Sequence, residues 1–418
     1  DQHALNSTFI GQDRARDALS FGLGIEARGY NLYVMGEQAT GRFTLVHEFI
    51  NKYVNKTVTP DDWCYINNFE DEREPFSLRL VAGESKKLIK DMESLIDEIL
   101  DTFPAAFDNP GYQRKKAAIT RKFDQDYDNA IGEVEQQAQQ LGVALFEDSG
   151  TITFSPIIDG QPLTDVELAK VTEPERQHYY QLIDELEDKL GEVLIELPKW
   201  KRATAEKLRA LKKDTAELGI RPLLKDLEHK YTSDLAILKF LRQLKPHLLE
   251  TVVEVLADDK KEDKHDEYDK RAILEEQYLP NIIVSHQLNS GSPVIYEPNP
   301  THQNLFGQVE YTNVQGSVFS NYRMIRPGAM HRANGGYLLL DVDKLIEQPY
   351  AWETIKLVLK FGSLKMDLPQ HDVGMFNSFT LNPHQIPIYV TVILFGSRDL
   401  YYTLQDFDDE FYELFRVL

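Results

Sequence analysis

Met35-Gly36-Glu37-Gln38-Ala39-Thr40-Gly41-Arg42-Phe43-Thr44 is the stretch on which the reading of this chain turns. Its Gly-x-x-x-x-Gly spacing is that of a phosphate-binding loop, and it sits where such a loop must sit. The apolar run Tyr30-Asn31-Leu32-Tyr33-Val34 ahead of it predicts a buried strand. Leu45, Val46, Phe49 and Ile50 behind it predict a helix. The working side chains, however, are replaced. The lysine that should reach the β/γ-phosphates is Arg42, and the hydroxyl that should hold Mg²⁺ is Phe43. Thr44 arrives one residue late, and a helical step of ~100° turns it away. Gly36 and Gly41, with Thr40 between them, still permit a tight amide cradle. A planar guanidinium is not interchangeable with a compact ammonium in it.

Working outward, the partner half of such a site is Gly335-Gly336-Tyr337-Leu338-Leu339-Leu340-Asp341-Val342-Asp343. Four apolar residues and then Asp is the pattern of a strand that delivers a metal-side carboxylate, and Asp341 fits. Val342 stands where a water-activating Glu is needed. Asp343, if the strand continues, points to the opposite face from Val342. Each such group is worth orders of magnitude in rate. With lysine, hydroxyl and Glu all altered, hydrolysis is expected to be absent or very slow. ATP or ADP with Mg²⁺ is the cofactor the cradle and Asp341 could still admit, and no other cofactor is indicated.

The chain of 418 residues has room for two or three domains, and 42% hydrophobic residues suffice for a sizeable core. Residues 1–82 read as the first half of an α/β domain, with Trp63-Cys64-Tyr65-Ile66 as a second strand. Residues 83–276 read as a mostly helical, coiled-coil-like arm inserted into it. Leu88, Met92, Leu95 and Ile99, and later Leu182, Leu186, Leu190, Val193, Leu197 and Trp200, form helical seams. Thr151–Phe154 and the turn Asp159-Gly160 suggest a small hairpin at a tip. The mixed-charge run Asp258–Glu267 reads as a solvated face or joint. Residues 277–418 return to α/β texture, with Asn281–Val284, Tyr337–Leu340 and Ile388–Phe395 as buried, parallel-type strands.

Several segments together resemble the AAA+ module of Lon-family proteases, in the branch that carries a long helical insertion. They are Phe9–Ala15, Gly29–Gly36, Asn299–Glu310 and, most specifically, Ile325-Arg326-Pro327-Gly328-Ala329-Met330-His331-Arg332-Ala333-Asn334-Gly335-Gly336 with the strand after it. The resemblance implies an AAA+-like parallel-sheet core, discontinuous in sequence, that assembles into a homo-oligomeric ring, with a hexamer expected. It implies unfolded or flexible protein as substrate, and a Ser–Lys dyad in a protease domain C-terminal to this module. No candidate dyad is visible in this sequence, so the chain alone is not expected to cleave peptide bonds. The altered loop is similar to that of Lon-like members thought to work without ATP. By position, Ser397 matches the polar sensor with Arg398 beside it, and Arg416 falls near the inter-subunit arginine finger. Leu305-Phe306-Gly307 is the candidate pore loop gripping substrate. Each has a plainer competing reading: a turn contact for Ser397, a surface contact for Arg416 and a core side chain for Phe306.

Two other functions stay open. One is an active ATPase in which Arg42 and Thr44 stand in through a shifted loop. The other is a non-enzymatic oligomeric scaffold whose arm binds partner proteins. A net charge of −22 argues against nucleic acid or anionic lipid as a general partner. Lys199, Trp200, Lys201, Arg202, Lys207, Arg209, Lys212 and Lys213 nevertheless make a basic stretch on the arm. No apolar run approaches the ~20 residues of a membrane span. The lone Cys64 suits a reducing cytosol, so a cytoplasmic location is expected. His302, His331, His371 and His384 lack zinc-ligand spacing, and His331 is expected to order the loop before its strand.

Overall fold

The computed structural model describes residues 13–25, 30–37, 40–148, 151–158, 161–163, 165–168, 170–256, 264–314, 317–365 and 381–417. The stretch Phe9–Gln12, loop residues Gln38 and Ala39, the turn Asp159-Gly160, residues 258–263 of the charge run and His371 lie outside them. The chain divides into two compact units.

Unit 1 comprises Asp1–Asp97, Leu227–Lys245 and Glu262–Leu418. Its centre is a five-stranded parallel sheet. The strands are β1 (Asn31–Met35), β7 (Val294–Glu297), β8 (Tyr337–Asp341), β9 (Thr391–Gly396) and β10 (Phe415–Val417), in the order β10-β1-β9-β8-β7. β1, β8 and β9 are almost wholly apolar because both faces of the sheet are covered. Alternation assigns their side chains to the two sides. Leu32, Val34, Leu339, Ile393 and Phe395 pack with Leu19 of helix α1 (Asp13–Leu23) and with Val46 and Ile50 of α2 (Arg42–Val54). Tyr33, Leu338, Leu340, Val392 and Leu394 face the larger core, built on the helices after β8 and β9. The register sets Met35 beside Gly396 and Asp341 beside Phe395. The C-terminal ends of three strands therefore emerge side by side, which is where an open α/β sheet offers a crevice.

A second sheet of three strands lies in the same unit. β2 (Asp62–Ile66) pairs antiparallel with both β3 (Phe76–Leu80) and β6 (Asn281–Val284). This corrects the expectation for Asn281–Val284, which does not join the parallel sheet; Trp63–Ile66, expected as a strand, pairs with it here. A short connection from β2 to β3 permits only an antiparallel pair, because a parallel one needs a crossover of a dozen or more residues. A four-residue apolar run such as Asn-Ile-Ile-Val does not itself encode direction. The parallel sheet is completed instead by β7 and β10. The last expected strand starts at Thr391 rather than Ile388.

Asp62 ties this second sheet down. It is fully buried, and its carboxylate accepts from the backbone N–H of Gly83, Ser85 and His286 at 2.8–3.2 Å and from the Ser85 hydroxyl. A buried carboxylate is tolerable only with such a full set of donors.

Unit 2 comprises Glu98–Asp226 and Pro246–Lys261. It holds the end of α3 (Glu84–Asp108), all of α4 (Pro110–Gln140), most of the 58-residue α5 (Glu173–Lys230) and the end of α6 (Leu235–Val255). Asn109 caps α4, its side chain accepting from Gly111 N at 2.8 Å, and Pro110 begins the helix where its missing N–H costs nothing. Of the second seam, Leu186 and Leu190 are buried, whereas Leu182, Val193, Leu197 and Trp200 are only partly so. The hairpin differs in detail. Its main pair is β4 (Val143–Asp148) with β5 (Thr151–Ile158), and the short strand Gln161–Pro162 adds to β5.

Candidate functional site

The loop closes the C-terminal end of β1. Gly36 N donates to Gly396 O at 3.1 Å, so the first amide of the loop is already bound to the end of β9. Thr40 Oγ1 donates to Glu37 O at 2.8 Å, within the loop itself. Gly41 caps α2 at φ +77°, a left-handed backbone that glycine adopts without steric cost, and it offers no side-chain acceptor. The first-turn amides of α2 thus keep the positive end of the helix dipole without a capping oxygen.

Arg42 turns back toward the ends of two strands. Its Nη1 donates to Gly36 O and, at 2.8 Å, to Gly396 O. The one cation of the loop is therefore spent on the carbonyls at the ends of two neighbouring strands. Phe43 goes the other way, into the apolar layer. Its ring centroid lies 4.5 Å from that of Tyr296 and 5.5 Å from that of Phe395, and it stacks on His47. Thr44 is exposed.

Asp341 ends β8, half-buried. Its Oδ2 accepts from the Tyr296 hydroxyl at 2.8 Å, and Lys344 Nζ lies 3.9 Å away. Burial, and then the adjacent carboxylate, push the Tyr296 hydroxyl up to about 12. The strand does not run on to Asp343. A helix starts at Val342 (Val342–Ile346), so Val342 is buried in the core and Asp343 sits in the first helical turn.

Tyr33 belongs to this site although neither its spacing nor its type marked it. Its hydroxyl donates to Ser397 O at 2.8 Å, and a Cβ at Gly396 would overlap it. Burial, with Asp343 adding and Arg42 opposing, raises the Tyr33 hydroxyl far above its ordinary range. The usable signal was alternation: in Leu32-Tyr33-Val34 the tyrosine must face away from the two aliphatics, toward the ends of β9 and β8.

The other candidates are not gathered here as one group. Ser397 caps the helix Arg398–Phe407, its Oγ accepting from Leu400 N at 3.2 Å, while its carbonyl meets Tyr33. Arg398 is exposed over the Tyr402 ring. Arg416 lies on β10, paired in register with Leu32, and its guanidinium donates to Tyr412 O. Leu305 and Phe306 are core side chains of a short helix (His302–Phe306), which Gly307 terminates. Neither side chain is exposed here. His331 is fully buried, and its Nδ1 accepts from Gly328 N at 3.2 Å, which orders the turn before β8. Among the described residues no group of three or more acidic, His or Cys side chains could hold a metal ion, and no helix is long and apolar enough to cross a membrane.

A family model described as the LonB-like AAA domain matches residues 290–418, which hold β7 to β10. A second, described as the Lon-like LonC helical domain, matches residues 62–95, which hold β2, β3 and the start of α3. No curated protein matches the chain. Among solved structures, that of NtrX from Brucella abortus is 16% identical, with 52% of this chain and 42% of that one covered and a TM-score of 0.20. So distant a likeness bears on neither fold nor function, and the chain spans less than half of that protein's length.

Proposed function

Because this chain carries a Lon-family AAA+-like module, we propose that it handles unfolded protein for a Lon-type peptidase without hydrolysing ATP. One observation carries this reading: Arg42 donates to Gly36 O and Gly396 O, so the cradle's cation is satisfied by the chain itself. A phosphate would have to draw the guanidinium off two carbonyls before it gained anything from it. The metal side points the same way. Phe43 offers no ligand, and the Asp341 carboxylate is held by the Tyr296 hydroxyl. These residues do not fit a magnesium–nucleotide complex.

In this reading the contacts that a nucleotide and its ion would bridge are made by side chains. Arg42 joins β1 to β9, Tyr33 joins β1 to the turn after β9, and Tyr296 joins β7 to β8. The module is locked in one arrangement and acts as a passive gate in a homo-oligomeric ring, proposed as a hexamer. It admits flexible or unfolded polypeptide to Ser–Lys peptidase sites and excludes folded protein by size.

The test is degradation of casein by the protein together with its peptidase domain. Equal rates with no nucleotide, ADP–Mg²⁺ and ATP–Mg²⁺ are expected. Stimulation by ATP alone, lost in Asp341→Asn, would show a working ATPase.

A further inference from the structure

We propose that unit 2 carries a docking groove for acidic segments of flexible polypeptide that also bear apolar side chains. The groove encloses about 480 Å³ between α4, α5 and the end of α6. Tyr112 and Val253, both buried, form its floor with the half-buried Leu208. Lys116, Arg209 and Lys212 stand at its rim, against Glu254 as the only lining carboxylate among the described residues.

Leu208 and Lys212, four residues apart, lie on one face of α5, with Arg209 beside them. Arg209 is held in place from α6: Glu250 accepts from Arg209 Nη2 at 2.9 Å and from Lys213 Nζ at 2.6 Å. Lys212 makes no ion pair among the described residues. The sign of this rim is opposite to that of the chain, which carries 68 acidic against 46 basic residues. A cationic rim over an apolar floor selects a partner with both features. Carboxylates meet the rim, which sets orientation and speeds encounter, and an aromatic or aliphatic side chain fills the floor. A nucleic-acid backbone would satisfy the rim and leave the floor uncovered. The module's role in handling unfolded protein suggests where such segments come from, and the inference leans on that reading only for their source.

The experiment is fluorescence anisotropy on the full chain with three labelled peptides. One mixes Glu with Phe and Leu, one replaces its Glu by Lys, and one replaces its Phe and Leu by Ala. Only the first should bind well, with the other two weaker by about tenfold or more. Lys116→Glu with Lys212→Glu should cost a similar factor, and so should 0.5 M salt. Leu208→Gln, at a half-exposed position, probes the floor, and circular dichroism confirms that each variant is folded. Equal binding of the Lys peptide, no response to the rim variants, no binding of the Glu peptide, or preference for a single-stranded oligonucleotide would overturn the proposal. Because nucleotide and peptidase are absent from the assay, its failure leaves the proposed gating role standing, and the reverse also holds.

Discussion

Replacing Arg42 by Ala separates a side chain that locks the loop from one that waits for phosphate. In the structure its guanidinium serves two carbonyls, Gly36 O and Gly396 O. Hydrogen bonds from a charged donor contribute about 1.5–3 kcal/mol each. Arg42 is only half-buried, so water recovers part of that on deletion, and about 2 kcal/mol in total is the expected loss. Trp63 and Trp352 lie in unit 1 and Trp200 in unit 2. Urea unfolding followed by fluorescence in a Trp200→Phe background therefore reports the affected unit, and the midpoint should fall with the slope unchanged. ATP affinity, measured by calorimetry on the same variant, should be little changed, because the guanidinium removed was bonded to carbonyls and made no phosphate contact. The reasoning fails if stability is unchanged while ATP affinity drops about tenfold or more, the signature of a direct phosphate ligand.

Three further outcomes follow from particular residues. Lys356, whose side chain is 6% exposed, meets Asp408 and Glu353 at 2.9 Å and Glu410 at 3.5 Å; Lys356→Met should cost about 3 kcal/mol in urea unfolding, because Asp408 is left buried with its cation gone. Burial works against both charges, but their mutual hydrogen bonds prevail, raising Lys356 and lowering Asp408. The pair's contribution should therefore hold between about pH 4 and pH 10, and fade as pH falls through the lowered carboxyl or rises through the raised amine. Gly396→Ala should destabilise by about 1–3 kcal/mol through overlap with the Tyr33 hydroxyl, and Tyr33→Phe should restore part of it in a double-mutant cycle. His331, held down to about 4 by burial, takes up its proton more readily when unfolded; stability should fall by about 3 kcal/mol from pH 6.5 to pH 4, and His331→Leu should flatten that slope.

Much of the core was legible because its signals are local. The apolar run before Gly36, the glycine spacing and the run ending at Asp341 gave β1, the loop, α2 and β8 near their observed bounds. What the sequence hid was pairing. Ile282–Val284 and Leu338–Leu340 are both wholly apolar, yet one lies in an antiparallel sheet and the other in the parallel one, since direction is set by connections and not by composition. Val294–Glu297 is four residues between two prolines, too short for periodicity to speak. In the site, the replaced residues Arg42 and Phe43 were visible, but not where their side chains go. Tyr33 and Tyr296 escaped notice because a tyrosine in a strand is ordinarily just core. Their hydroxyls acquire meaning only when Ser397 and Asp341 arrive from elsewhere in the chain.

The most direct measurement is on the unaltered chain: calorimetric titration with ATP–Mg²⁺, alongside phosphate release over hours. We expect no release above the buffer rate, and no change in Asp341→Asn. Steady turnover by the isolated chain that disappears in Asp341→Asn would contradict a self-locked cradle.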